Sequence, residues 1–373
     1  MEGKRLDYLD MVKGVGIILV VVGHSSYVPE GVLTWLASFH MPLFFIVSGM
    51  LFAHKQSDQE PFGNYVKRRF HGMILPYFWF SLIYLGVDYY YLFVHPQVID
   101  QQFINTAVIQ SLSFYGISVL WFLPTIFLGE LCLYVLIRKQ YPIWLLCVIG
   151  FGSVWVPVLG VWLIQTFIKM EKNVFLGWFG SLLMALLRVF PALVFLMIGY
   201  GVYCWLCDLR LRAGQEVMVG ILCLFLNGAV AFANGRVDMH FLVFHNVFYF
   251  YLGACSAAIG LLLIFRHVKK IWLLGFLGSN SLIVMLTHLD CQVMSLAIRF
   301  AVGMNQFIPR AKNIIFYLNL YGALLVGELV MIVLVGKVGF FLIGRKKPVK
   351  LEGPSWWQRL IKRLRGTKFK RVK

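Results

Sequence analysis

Residues 181–206 read SLLMALLRVFPALVFLMIGYGVYCWL, with one formal charge, Arg188, in 26 positions. A helix needs about 20 mostly apolar residues to cross the hydrocarbon core of a bilayer, and this stretch supplies them. Nine further stretches lie on either side of it, at roughly 9–28, 33–53, 72–94, 112–137, 142–164, 216–233, 242–265, 271–298 and 314–343. The span 33–53 contains His40 and Pro42 and is expected to be bent or re-entrant. The span 9–28 is short in apolar residues, and Lys13 is expected to snorkel toward the surface. Composition agrees with the count. Of 373 residues, 60% are hydrophobic, 16% aromatic and only 13% charged, whereas a soluble domain carries about 25% charged residues. The predicted fold is an all-α integral membrane protein, a bundle of about ten transmembrane helices.

The formal charge of +18 would suggest nucleic acid in a soluble protein. Here the basic residues fall in short runs between apolar spans, so topology explains them and no nucleic-acid partner is expected. With the N-terminus in the cytoplasm, 25 of the 34 Lys and Arg residues lie in inside segments and six outside, and Lys13, Arg188 and Lys337 lie within spans. That bias follows the positive-inside rule and places both termini on the cytoplasmic side of a cell membrane. Two units are expected, a transmembrane domain over 1–344 and a basic cytoplasmic tail over 345–373. In the tail, Trp356 and Trp357 precede Arg359-Leu-Ile-Lys-Arg-Leu-Arg365. This run reads as an amphipathic helix lying on anionic lipid headgroups. No cleavable signal is expected, because Asp7, Asp10 and Lys13 interrupt the N-terminus. The seven cysteines lie in or beside apolar segments, and Cys204-Trp-Leu-Cys207 has no second pair, so they read as small apolar filler.

Polar side chains inside a span are costly and invite functional hypotheses. Lys13 and His24 are eleven residues apart, about 16.5 Å along a helix. Lys13 therefore sits near the inner face and His24 in the outer half of the membrane. A histidine there can act as a general base near neutral pH; the same placement suits a hydrogen-bonded structural histidine. Lys67, Arg68 and Arg69 cluster at an inner interface, where they suit either phosphate binding or ordinary positive-inside charge.

Five motifs, in order, resemble the acyltransferase-3 family of membrane acyltransferases. They are Lys13-x10-His24, Ser38-Phe-His-Met-Pro-Leu-Phe-Phe-Ile-Val-Ser-Gly49, Lys67-Arg-Arg-Phe-His-Gly-Met-Ile-Leu-Pro-Tyr77, Trp121-Phe-Leu-Pro124 with Glu130 beyond it, and Gly278-Ser-Asn-Ser-Leu-Ile-Val-Met-Leu-Thr-His288. Together they run from residue 5 to about 290. Asp10-x-x-Lys13-Gly and Gly23-His24 look most like the branch that carries out fucose 4-O-acetylation and related sugar acetylation. Lys at position 13 departs from the commoner Arg and cannot form a bidentate fork. The resemblance implies a catalytic His24, an acyl-CoA donor reaching it from the cytoplasm and an acceptor at the outer face.

The remaining expectations follow. Acyl-CoA, with acetyl as the default acyl group, is the donor substrate, a sugar or glycan hydroxyl is the acceptor, and no metal is expected. Lys13, Lys67, Arg68 and Arg69 are candidates for the phosphates of CoA, and Lys13 also suits an i,i+3 pair with Asp10. Glu130 is expected to orient His24 or His40, or to pair with a buried base. His40 is assigned to the site beside His24. Arg188 and Ser25 are candidates for the acceptor or the oxyanion, with an interfacial anchor as the plainer role of Arg188. His288 and Asn280 read as structural hydrogen-bonders. A tunnel joining the two faces through the bundle is expected. The rival class is a transporter that exports a glycan or glycolipid precursor, for which intramembrane His, Glu and Arg are also suited.

Overall fold

The computed structural model describes residues 6–141, 148, 150, 152, 155–162, 174–305 and 312–348. The tail helix around Trp356, Trp357 and Arg359–Arg365, most of the span 142–164, Cys147, and Lys4, Arg5, Lys169, Lys172 and Arg310 lie outside the described residues. Among the described residues the chain is built of helices: α1 (Asp7–Gly23), α2 (Glu30–Ala37), α3 (His40–His54), α4 (Phe62–Arg69), α5 (Leu75–Val94), α6 (Gln101–Leu112), α7 (Phe122–Arg138), α8 (Val174–Asp208), α9 (Ala213–Asn234), α10 (Val247–Phe265), α11 (Trp272–Ser279), α12 (Ser281–Thr287), α13 (Val293–Asn305) and α14 (Lys312–Lys337).

Seven stretches among the described residues are long and apolar enough to cross a membrane: Glu30–His54, Phe62–Val94, Ser118–Arg138, Gly177–Asp208, Ala213–Asn234, Val247–Phe265 and Ile314–Lys337. Of the ten expected, 9–28 is the 17-residue α1. The stretch 271–298 is α11, α12 and the start of α13, interrupted at Asn280, whose side-chain amide donates to Phe276 O at 2.9 Å. Between the expected spans 72–94 and 112–137 lies α6, which runs to Leu112 and is capped by Asp100, whose carboxylate accepts from Phe103 N. The span expected from 112 starts instead at Ser118, after a turn in which Phe114, Gly116 and Ser118 all have positive φ.

The second span is bent, and the break falls at Ser38–Phe39, just ahead of His40 and Pro42. Pro42 is tolerated because it lies in the first turn of α3, where its missing N–H would be unpaired anyway. A buried amide holds the bend. Asn227 of α9 accepts from Trp35 Nε1 at 2.7 Å and donates to Ser38 Oγ and Gly253 O, both at 3.0 Å. Inside a bilayer an unpaired amide costs several kcal/mol, so an amide with its bonds filled serves as a fixed joint. Pro76 explains a second irregularity, the π-helical turn over Phe70–Ile74 that joins α4 to α5. Proline cannot donate to the carbonyl one turn back, and the widened turn absorbs the misfit.

Two close helix crossings set the frame around the site. A Cβ on Gly14 or Gly278 would strike the backbone of the facing helix, Leu274 O or Asp10 O, which brings α1 against α11. Gly49 and Gly199 likewise meet Leu196 O and Ile46 O, which brings α3 against α8. Small residues at such crossings let membrane helices reach backbone contact, where dispersion replaces the missing hydrophobic drive.

Candidate active site

α1 runs unbroken from Asp7 to Gly23, so Lys13, in its second turn, and His24, its C-terminal cap, are held about 16.5 Å apart along one helix. His24 is its C-terminal cap, and its Nδ1 lies 2.9 Å from Val20 O. The imidazole opens onto a cavity of about 310 Å³ whose walls include His40, Trp121, Asp238, His240 and Met285. Four chain segments therefore meet at His24: the α2–α3 bend, the turn before α7, the loop 235–246 between α9 and α10, and α12. His40 begins α3, and its Nδ1 lies 2.6 Å from Leu36 O. A neutral imidazole has one N–H, and in both rings the carbonyl contact assigns it to Nδ1, leaving Nε2 with the lone pair. His288, fully buried, stands behind His24, with its Nε2 3.2 Å from His24 Nδ1 and its ring centroid 5.0 Å away.

The outer wall is a pair of loops clamped by Arg188. This guanidinium, 0% exposed in α8, donates through Nε to His240 O and through Nη1 to Tyr115 O, both at 2.7 Å. It also lies 4.1 Å from the Tyr115 ring centroid. Trp121 and His240 stack at 5.6 Å, with planes 13° apart. Asp238 closes the loop by accepting from the backbone of His240 and Phe241. Arg188 thus stands one layer behind the cavity, not in its wall, because both of its bonded arms are committed to loop carbonyls. Its Nη2 and the Nε2 of His240 are buried without a hydrogen-bond partner among the described residues.

Burial, and after it the Arg188 guanidinium, push the His240 imidazole down to about 3. An unfolded histidine titrates near 6.5. Between those values the unfolded loop binds a proton that the folded loop excludes. The loop's stability is therefore complete above pH about 6.5 and falls as the pH drops toward 3. Amide hydrogen exchange across 236–246, corrected for intrinsic rate, is expected to be faster at pH about 5 than at pH about 7. His240→Gln should remove that difference; an unchanged protection in the parent protein would contradict the assignment.

Around Lys13, in the N-terminal half of α1, the basic residues gather. Lys13 pairs with Asp10 at 2.8 Å, and Arg68 holds Glu60 with Nη2 and Nε at 2.7 and 3.2 Å. Arg69 forms an ion pair with the buried Glu130, which also accepts from Tyr65 OH at 3.2 Å. Lys55, the cap of α3, joins them: partial desolvation, then Arg68, Arg69 and Lys13, hold its ammonium below the usual lysine range. Lys67 is exposed on α4.

Of the expected site residues, His24 and His40 share the cavity, and Lys13, Arg68 and Arg69 share the basic cluster. Glu130 partners Arg69 and Tyr65 and neither histidine. The reason is distance: it lies nine residues beyond Trp121, about 13 Å further along the span. Ser25 is buried, receives the backbone N–H of Tyr27 at 3.5 Å and is not among the cavity walls. The reading from sequence assigned no role to Lys55. It also assigned no role to Asp238 or His240. His288 was read as a structural hydrogen-bonder, and its two ring nitrogens lie within hydrogen-bond distance of Val284 O and His24 Nδ1.

Such a chain is a multi-pass α-helical membrane protein with an imidazole-lined cavity at the C-terminal end of α1 and a cationic cluster around Lys13, about three turns back along the same helix. Residues 6–334 match the family model of the acyltransferase domain, type 3. The chain belongs to this family of membrane acyltransferases. No curated protein and no solved structure matches it. No group of three or more His, Cys, Asp or Glu suited to a metal ion occurs among the described residues.

Proposed function

We propose that the protein moves an acyl group, acetyl by default, from cytoplasmic acyl-CoA to a hydroxyl of an extracytoplasmic or lipid-linked sugar. His24 is the general base. One observation carries this reading: a single helix, α1, bears at its C-terminal end a histidine open to a cavity and, about three turns back, a lysine within a cluster of Lys55, Arg68 and Arg69. The phosphates of CoA need cations, and an alcohol attacks a thioester only when its proton is removed.

In the proposed reaction the donor's phosphates bind at the basic cluster, and its pantetheine arm rises through the bundle toward His24. The sugar enters the cavity from the outer face. His24 Nε2 takes the hydroxyl proton as the oxygen attacks the thioester carbonyl. The tetrahedral intermediate collapses, the C–S bond breaks, and the thiolate leaves with the proton returned from His24 as free CoA. Direct transfer of this kind is favoured over an acyl-histidine intermediate. His40 contributes a second acceptor for sugar hydroxyls. Arg188 shapes the acceptor wall through His240, and Glu130 orients Arg69 for the donor. The motif resemblance supports a sugar of the kind acetylated by the fucose 4-O-acetylating branch. The charge bias supports an inner cell membrane with both termini in the cytoplasm.

The test is incubation of the purified protein with radiolabelled acetyl-CoA, with and without a sugar acceptor. Acceptor-dependent release of free CoA, with label on the sugar, is expected. Binding of acetyl-CoA without any acceptor-dependent turnover across a panel of glycans would overturn the reading and favour a carrier.

A further inference from the structure

We propose that His288 is the positioning residue for His24: it accepts the Nδ1–H of His24, fixes the ring's tautomer and keeps Nε2 free for the substrate proton. The proposal rests on the reading of His24 as the base.

The geometry works from the inside outward. His288 is 0% exposed, and its Nδ1 lies 3.0 Å from Val284 O, one turn back on α12. A backbone carbonyl can only accept, so this contact places the His288 proton on Nδ1 and its lone pair on Nε2. That lone pair lies 3.2 Å from His24 Nδ1. Val20 O, another pure acceptor, lies 2.9 Å from the same Nδ1. Two acceptors facing one nitrogen require that nitrogen to carry the hydrogen, shared as a three-centre bond. The lone pair of His24 is thereby confined to Nε2. Among the described residues no carboxylate bonds either nitrogen of His24. The orienting task that a carboxylate performs in a hydrolase triad falls here to a neutral imidazole.

The surroundings of His288 hold it still. Tyr84 OH of α5 donates to Leu286 O at 2.6 Å, Thr287 Oγ1 lies 2.8 Å from Glu328 Oε2 of α14, and Met294 N donates to His288 O at 2.9 Å. Three consecutive residues are thus fixed to three different elements. Such support gives a base a defined direction, which is what a general base needs within hydrogen-bond reach of its proton. When His24 takes the proton it becomes a cation, and the same bond then strengthens as a charge-assisted one.

The experiment uses the full chain, purified in detergent, with His288→Leu, His288→Asn and His288→Gln. Leucine fills the volume without an acceptor, the asparagine carbonyl is too short to reach His24, and the glutamine carbonyl reaches it and accepts. Expected is a fall in kcat of at least about 100-fold for the first two, in the range general-base catalysis contributes. The KM and Kd for acetyl-CoA should stay within about 2-fold, because in the proposed reaction the donor's phosphates bind around Lys13, about three turns away from His24 along α1. The glutamine variant should recover kcat to within about 10-fold of the parent. A parent-like kcat in His288→Leu or His288→Asn would overturn the proposal. Equal losses in all three variants, with acetyl-CoA binding lost alongside, would also overturn it and leave His288 a packing residue. If the leucine variant does not fold, the asparagine and glutamine pair carries the comparison. Failure here is separable from failure of the base itself: that would appear as activity in His24→Ala, whereas this proposal fails alone when His24→Ala is dead and His288→Asn is fully active.

Discussion

His24→Ala is expected to abolish acyl transfer while leaving the protein folded. General-base catalysis contributes about 10²–10⁴-fold, and the two other imidazoles in the cavity wall are those of His40 and His240. His40, whose ring is turned by Leu36 O, serves the other sugar hydroxyls in the proposed reaction, and His240 is stacked on Trp121, so neither is placed to replace His24 at the reacting hydroxyl. The cost to the fold is small because His24 caps α1 at an open cavity, and its contacts are one carbonyl and one imidazole. Loss of one such bond costs about 1 kcal/mol. The check is single-turnover transfer from radiolabelled acetyl-CoA, together with a thermal melt and acetyl-CoA binding. A purified, folded variant that still acylates acceptor at near the parent rate would remove the mechanism altogether.

The second large effect belongs to Glu130→Ala. Glu130 is 3% exposed and satisfies both Arg69 and the hydroxyl of Tyr65, itself 1% exposed. Removing one partner of a buried ion pair leaves an uncompensated charge and costs about 3–5 kcal/mol. A marked fall in thermal midpoint is expected, and the KM for acetyl-CoA should rise as Arg69 loses its orientation. Glu130→Gln, which keeps an acceptor for Tyr65, should lose less stability. If either variant kept its stability and donor KM but lost kcat, Glu130 would belong to the chemistry and its pairing with Arg69 would be incidental.

These expectations show how unevenly the sequence could be read. The span at 181–206 announced itself because a bilayer demands length and apolarity from contiguous residues, and both are properties of a string. The spacing of Lys13 and His24 was equally legible, since a helix converts eleven residues into about 16.5 Å without help from the rest of the fold. The bend in the second span was anticipated from His40 and Pro42, but its joint lies at Ser38–Phe39. The amide that fixes it, Asn227, comes from α9, 189 residues along the chain from Ser38. Glu130 was recognised as needing a partner. That the partner is Arg69 and neither histidine follows from its depth on α7, which no local pattern contains.

The membrane class, the helical architecture and the presence on α1 of a lysine and a histidine about three turns apart were all written in consecutive residues, because burial in lipid and helical rise act along the chain. The cavity around His24, the placing of His288 264 residues away at its Nδ1, and the gathering of Lys55 with Arg68 and Arg69 came from packing between distant segments. Hydrogen bonds and charge contacts act through space over a few ångströms, and only the crossing of α1 with α11 and of α3 with α8 determines which side chains come within that reach.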